Sequence, residues 1–358
     1  CLSQLYANGR IEPFDLARQD VSIRFIIPQM LVGRDAELET LKQAFDRVSA
    51  GTAEIMLVAG EPGIGKSALI QEIHKPIVAK RGYFLTGKYE ELRRHLPYSG
   101  IIQAFQGLIR QILSESEERL KVWRQTLGAP LGENAKVITD SIPEVEFILG
   151  PQPNLPEMGP EETRNRFNLV FKNFVRAFAD RTHPLVLFLD DLQWADPASL
   201  NLIQTIATDP DLKHMLIIGA YRDNEVPPHH PLMLALDAIR KTGLVMQTIT
   251  LGPLRVADIN QMIVSFLKTP AQASESLAEV IHEKTKGNPF FVTQFIKMLY
   301  SEHHIVLNPQ SGWTWELSAI KALNVTANVV EFLADRIGGL EADMRHILKT
   351  GACIGNRF

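Results

Sequence analysis
The stretch Val58–Ile70, VAGEPGIGKSALI, sets three glycines, a lysine and a serine between two apolar runs. Glycine inside a strand or helix costs roughly 0.5–1 kcal/mol relative to alanine, so the cluster implies backbone that must curl tightly. Ile55-Met56-Leu57-Val58-Ala59 before it is a short apolar run of buried-strand type, and a helical pattern begins at about Lys66. Gly60-Glu61-Pro62-Gly63-Ile64-Gly65-Lys66-Ser67 matches G-x-x-x-x-G-K-[ST] in full. The glycines let successive amide N–H groups converge on phosphate oxygens, and a helix start adds further amides and a positive dipole end. The expectation is a nucleotide-phosphate site running from Gly60 to Ala68. In it Lys66 reaches the β- and γ-phosphates and the Ser67 hydroxyl completes a Mg²⁺ shell.

A second site is legible in Leu185-Val186-Leu187-Phe188-Leu189-Asp190-Asp191, an apolar strand ending in two carboxylates. Such a pair is costly at the end of a buried strand unless a cation sits beside it. Mg²⁺ would serve, with Asp190 as an outer-sphere ligand and Asp191 orienting or deprotonating an attacking water. Gly219-Ala220-Tyr221-Arg222 ends another apolar run and puts Arg222 where a γ-phosphate would be sensed. His229 and His230 lie between prolines with no third ligand near, which reads as a loop rather than a metal site. The NKxD pattern that selects guanine is absent, which favours adenine.

Strands are expected at Ile55–Ala59, Tyr83–Leu85, Leu185–Leu189, Met215–Ala220 and Met246–Leu251, alternating with helical patterns. RFNLVFKNFVRAFA, for example, places Phe167, Val170, Phe171, Phe174, Val175 and Phe178 on one helix face. Apolar strands alternating with helices predict an α/β fold with a mostly parallel five-stranded sheet covered on both faces. Ala129 to Pro160, rich in proline and glycine, reads as an irregular insertion, and everything after Pro253 reads as helical. Residues 1–28 are weakly periodic and resemble a linker or the tail of a preceding domain.

Composition narrows the function. The chain of 358 residues is 45% hydrophobic and 22% charged, ordinary for a globular protein able to bury cores. A net charge of −4 argues against a surface built for nucleic acid or anionic membrane. The two cysteines, Cys1 and Cys353, suggest no disulfide framework, which suits a reducing cytoplasm. No apolar run approaches the roughly 20 residues of a membrane span. The start at Cys1 and the stop straight after a helical pattern read as a fragment of something longer.

Together these residues resemble a STAND-type P-loop ATPase of the AAA-like group, related to origin-recognition ATPases. Leu31-Val32-Gly33-Arg34-Asp35-Ala36-Glu37 is similar to the family's entry motif beside the nucleotide's base, with Asp35 where Glu is usual. Asp190-Asp191-Leu192-Gln193-Trp194-Ala195-Asp196 is similar to its extended acidic motif. Gly287-Asn288-Pro289-Phe290-Phe291, otherwise a helix–helix turn, is similar to the motif whose proline approaches the adenine. The resemblance implies nucleotide contacts by Val32, Gly33, Arg34 and Pro289 as well as the loop. It also implies domains at 29–252 (P-loop NTPase core), 253–324 (helical lid) and 325–358 (the start of a truncated winged-helix-like domain). GKYEELRRHLPYSGIIQAFQGLIRQIL and GPQPNLPEMGPEETRNRFNLVF further resemble the ATPase module of bacterial hybrid signalling proteins. In those a serine/threonine kinase domain precedes the module, and GAF and histidine-kinase domains follow. No kinase motif is present in this chain.

The leading expectation is an ATPase acting as a slowly hydrolysing, ATP- and Mg²⁺-dependent switch, with Lys66, Asp191 and Arg222 as catalytic groups. ADP-for-ATP exchange would drive its motion. The alternatives are a non-hydrolysing, nucleotide-dependent scaffold that recruits protein partners, and an origin-type ATPase that engages DNA. A small-molecule kinase also stays open, because the loop alone does not choose the phosphoryl acceptor. Relatives of this group often complete the site with an arginine from a neighbour, so self-association is a further implication of the resemblance.

Overall fold
The computed structural model describes residues 30–308, 312–323 and 337–354. The expected linker over 1–28 lies outside them, as does much of the expected winged-helix start from 325. Arg34–Gly252 forms one compact unit; the described residues from Pro253 onward, with 30–33, form another.

The first unit begins with α1 (Asp35–Ala50), β1 (Ala53–Ala59), α2 (Lys66–Gln71), α3 (His74–Ala79) and β2 (Tyr83–Lys88). It continues through α4 (Ser99–Ile112), α5 (Glu117–Leu131), α6 (Ala135–Ser141), α7 (Glu146–Leu149) and α8 (Pro160–Arg176). It closes with β3 (Leu185–Asp190), α9 (Pro197–Ala207), β4 (Met215–Tyr221), α10 (Pro231–Arg240) and β5 (Val245–Thr250). The strands form one sheet in the order β2-β3-β4-β1-β5, and every pairing is parallel. This is the P-loop NTPase fold. Residues on β1, β3 and β4 are buried on both faces, which is why those strands read as continuous apolar runs rather than alternating ones. Ile55, Leu57, Leu85, Leu187, Leu189 and Ile217 point into one large core that also receives α4, α5, α8, α9 and α10. Phe105, Phe171, Phe174 and Phe178 meet there, the last two edge to face with centroids 5.0 Å apart. On the opposite face α1 packs over β1 and β4.

The expected irregular insertion is a correction. Between Ala129 and Gly150 the chain is mostly helical, and Leu131, Ala135, Ile138, Ile142, Val145 and Ile148 are core residues. Their spacing is three or four throughout, the period of one helix face. The prolines and glycines that obscured it mark the joints: Gly132 has φ +48, Pro143 opens a short 3-10 turn, and Gly150 has φ +77. Within Ala129–Pro160, the one long stretch without regular structure is 150–159.

In the second unit α11 (Val256–Leu267), α12 (Ala271–Thr285) and α13 (Pro289–Ser301) share a core built around Ile259, Ile263, Leu277, Ile281, Val292 and Phe295. The expectation of helix throughout is overturned by β6 (Ile305–Asn308) and β7 (Gly312–Trp315), an antiparallel pair. β-branched and aromatic residues on these segments favour a pleated surface over a helix. α14 (Leu317–Ala322) and α15 (Ala342–Ile354) follow. Among the described residues, no helix is long and apolar enough to cross a membrane.

One buried charge anchors the turn that feeds β4. The Asp209 side chain is fully buried and pairs with Arg176, while Lys172 lies 3.8 Å away and the Asp211 N–H donates to it. Burial pushes the Asp209 carboxyl up, but Arg176 and the Asp211 amide outweigh it and hold it below its usual range. Arg176→Met, which leaves this carboxylate short of its main partner, should cost about 3 kcal/mol in urea unfolding at neutral pH. Because the folded-state pKa is depressed, the stabilisation is present above the unfolded value of about 4 and is lost as pH falls through the folded value. The acid-side decline in stability should therefore be shallower in the variant.

Candidate functional site
In an all-parallel sheet the strands deliver their C-terminal ends to one edge, where polar residues can gather outside the core. Here β1, β4 and β3 are neighbours, and they lead directly into the glycine loop, Arg222 and Asp190-Asp191. The three sequence-predicted groups are therefore brought together by strand order, although Arg222 and Asp190 are far from the loop in the chain.

The loop's shape is set by glycine. Gly60 has φ +150, and a Cβ there would lie 2.9 Å from both Ile64 Cγ2 and the Leu251 carbonyl oxygen. Gly65, at φ +100, is the left-handed residue immediately before α2. Ile64 is buried, whereas Glu61, Gly63, Ser67 and Ala68 are exposed, so the loop shows one side to the core and one to solvent. The Lys66 ammonium is buried beneath it and donates to the carbonyls of Gly60 (2.7 Å) and Glu61 (3.0 Å), tying the ring closed. Burial lowers the Lys66 pKa, and the charges of Asp190 and Asp191 work against that shift. Arg34, also buried, donates to the Gly252 carbonyl and reaches the Ile64 carbonyl at 3.5 Å, bracing the loop from behind. The helix after the loop is only six residues long, so loop amides and Lys66 carry the anion-binding potential.

The Ser67 hydroxyl donates to Asp190 Oδ2 at 3.1 Å. Asp190 Oδ1 accepts the Asp191 N–H at 3.0 Å. Burial, reinforced by the neighbouring Asp191 charge, raises the Asp190 pKa. A hydroxyl and a desolvated carboxylate side by side are the hard-oxygen donors that suit Mg²⁺. Among the described residues, no group of three or more His, Cys, Asp or Glu side chains forms a metal cage. Mg²⁺ is commonly held by one or two protein oxygens, the number Ser67 and Asp190 would supply, with phosphate and water completing its shell.

Asp191 is buried and its backbone lies in the left-handed region at φ +55. Its Oδ1 accepts Gln193 Nε2 at 2.9 Å and lies 3.4 Å from Arg222 Nε; its Oδ2 lies 3.3 Å from Lys88 Nζ. Burial works against the Arg222 charge, but the Glu225 hydrogen bond and Asp191 prevail and raise its pKa. Gln193 is 1% exposed and completes the link, its Oε1 accepting the Arg222 backbone N–H at 3.2 Å. The Gln193 carbonyl in turn accepts Arg94, whose guanidinium stacks 4.3 Å over Trp194. Asp196 caps α9 through the Ser199 N–H. His230 caps α10 through Nδ1, accepting the Leu232 N–H, a structural use of that loop.

Lys88, Gln193 and Glu225 were not assigned roles from the sequence. Lys88 is paired with Asp190 in the sheet register, and only strand order reveals that. Gln193 stands two residues past Asp191 and Glu225 three past Arg222, spacings that hold the available signal. Val32, Gly33 and Pro289 belong to the second unit. Val32 is in its core, Gly33 sits at φ +65, and Pro289 opens α13 behind the Asn288 cap.

Residues 30–218 match the family model described as "AAA ATPase domain". The chain is 30% identical to "Hybrid signal transduction histidine kinase G" of Dictyostelium discoideum, over 98% of this chain and 12% of that protein. It is 24% identical to "Peroxide stress-activated histidine kinase mak2" of Schizosaccharomyces pombe, over 75% of this chain and 12% of that protein. The chain thus spans only 12% of the length of either relative. Both organisms are eukaryotes, whereas the resemblance drawn from the sequence is to bacterial proteins. Among solved structures, Cdc6p from Pyrobaculum aerophilum is similar with a TM-score of 0.45 and 16% identity, covering 77% of this chain and 62% of that one. A RuvB variant from Thermotoga maritima gives 0.39 and 17%, covering 91% and 79%.

Gln193→Leu keeps the volume but strips partners from Asp191 Oδ1 and the Arg222 N–H. It should lower unfolding free energy by roughly 1–3 kcal/mol, read from urea denaturation without added nucleotide.

Proposed function
The chain belongs to the AAA ATPase domain family, and on that premise we propose that it is an ATP-binding, slowly hydrolysing, Mg²⁺-dependent switch module of a multidomain signalling protein. The observation that carries the reading is the Ser67–Asp190 hydrogen bond at 3.1 Å, which joins the glycine loop to the acidic strand across 123 residues of chain. Lys66 and the loop amides hold the β- and γ-phosphates, while Ser67 and Asp190 hold Mg²⁺. When bound, Mg²⁺ neutralises charge shared between those two phosphates. Asp191 orients the attacking water and accepts its proton. Arg222 meets the γ-phosphate. On the resemblance, Val32, Gly33, Arg34 and Pro289 are proposed for the base side of the nucleotide. The division into a core over 29–252, a helical lid over 253–324 and a winged-helix-like start over 325–358 is part of the same proposal.

The names of the kinase relatives support a signalling role, with a serine/threonine kinase upstream and GAF and histidine-kinase domains downstream as proposed neighbours. A second reading, a nucleotide-dependent scaffold without turnover, is favoured by one feature. Asp191 already engages Lys88, Arg222 and Gln193, and it must shed part of that company to take up a proton.

Lys66→Ala should weaken ATP binding at least 100-fold, measured with a fluorescent analogue. Asp191→Asn should bind within threefold of wild type yet lose at least 100-fold in phosphate release. Equal turnover in wild type and Asp191→Asn would remove Asp191 from its role. Tight binding with no phosphate release from the wild type would favour the scaffold.

A further inference from the structure
The guanidinium of Arg222 is divided between two carboxylates. Its Nε lies 3.4 Å from Asp191 Oδ1, and its Nη1 donates to Glu225 Oε1 at 2.8 Å. Glu225 is fixed from its own backbone, because its N–H donates to the Arg222 carbonyl at 3.1 Å within the short turn Asp223–Glu225. Its other oxygen, Oε2, is buried and has no hydrogen-bond partner among the described residues. A carboxylate with one oxygen desolvated and unpaired is costly anywhere, and more so beside a site that must attract phosphate. Among the described residues, Arg222 is the cation that pairs with it.

We propose that Glu225 is a positioning residue that holds the Arg222 guanidinium off Asp191 and turned toward the terminal phosphate. Without it, the nearest carboxylate is Asp191, already 3.4 Å from Nε, and the planar fork can close on that carboxylate with two parallel hydrogen bonds. Such a closure would turn the guanidinium away from phosphate and engage the oxygen needed by the attacking water. Glu225 opposes it by taking Nη1 from the other side, while Gln193 fixes the backbone at the root of the side chain. The consequence is selective. A group that aims Arg222 affects recognition of a third phosphate and leaves recognition of the first two to the loop.

This inference rests on the reading that Arg222 meets the γ-phosphate, so Arg222→Ala is measured beside it. The experiment compares ATP and ADP affinities of the full chain, in Mg²⁺, for wild type, Arg222→Ala, Glu225→Ala, Glu225→Gln and the double alanine variant. Glu225→Ala should lose about tenfold in ATP affinity, with ADP affinity within twofold. Glu225→Gln, which keeps an acceptor oxygen for Nη1, should recover most of that loss. The double variant should be no weaker for ATP than Arg222→Ala alone, since Glu225 acts only through Arg222. Unchanged ATP affinity in Glu225→Ala, or equal loss for ATP and ADP, overturns the positioning role while leaving the reading of Arg222 intact. Further loss in the double variant also overturns it. If Arg222→Ala itself leaves the ATP-over-ADP preference unchanged, the underlying reading of Arg222 falls, and the inference with it.

Discussion
Parallel pairing with both faces covered is the constraint from which the rest follows. A strand such as β3, apolar from Leu185 to Leu189, has no place for a charge along its length. Its first polar residues are those that emerge at its end, Asp190 and Asp191. β4 likewise releases the chain at Arg222, and β1, whose buried Glu54 near its start is paired with Arg47, releases it into the glycine loop. Since β4 lies between the other two, three distant pieces of sequence are delivered to one edge. The burial that stabilises the sheet thus also decides where chemistry can occur.

At that edge the charges are already interlocked. Lys66 is turned onto its own loop's carbonyls, Lys88 and Arg222 flank Asp191, and Glu225 shares Arg222. Placing two adjacent carboxylates in a partly buried site is tolerable only with such neighbours. On the proposed reading, an incoming polyphosphate would meet cations that already have partners, so binding would be an exchange of partners and not a simple filling of a positive hole. On that reading the exchange would give a physical route from nucleotide state to the conformation of Lys88, Gln193 and Arg222, side chains rooted on three different segments.

What could be read from the sequence divides along local and non-local lines. The glycine loop, the apolar strands and the phenylalanine face of α8 are periodic or local patterns, and they appear in the structure where the residues placed them. The helices between Ala129 and Gly150 were obscured because Pro130, Gly132, Pro143 and Gly150 read as breakers of structure, when three of them only separate short helical pieces and Pro130 sits inside α5. The β6–β7 pair was hidden by a long helical neighbourhood, although Val306, Trp313 and Trp315 carried a strand signal. In the site, the loop and the acid pair were legible as motifs. Lys88 was not, because its approach to Asp191 depends on the β2–β3 register, which no local pattern encodes.

The left-handed backbone at Asp191 has a consequence for how such a site can change over time. At φ +55 a residue with an ordinary side chain is strained, while Asp, Asn and Gly are the types that adopt this region most readily. A longer acid at this position would carry that strain, so lengthening the carboxylate arm is opposed by the fold itself. Replacement by Asn or Gly is not opposed on backbone grounds, and either removes the carboxylate. On the role proposed for Asp191, a module that turns nucleotide over and one that only holds it would be adjacent in sequence space, with little barrier from the backbone between them.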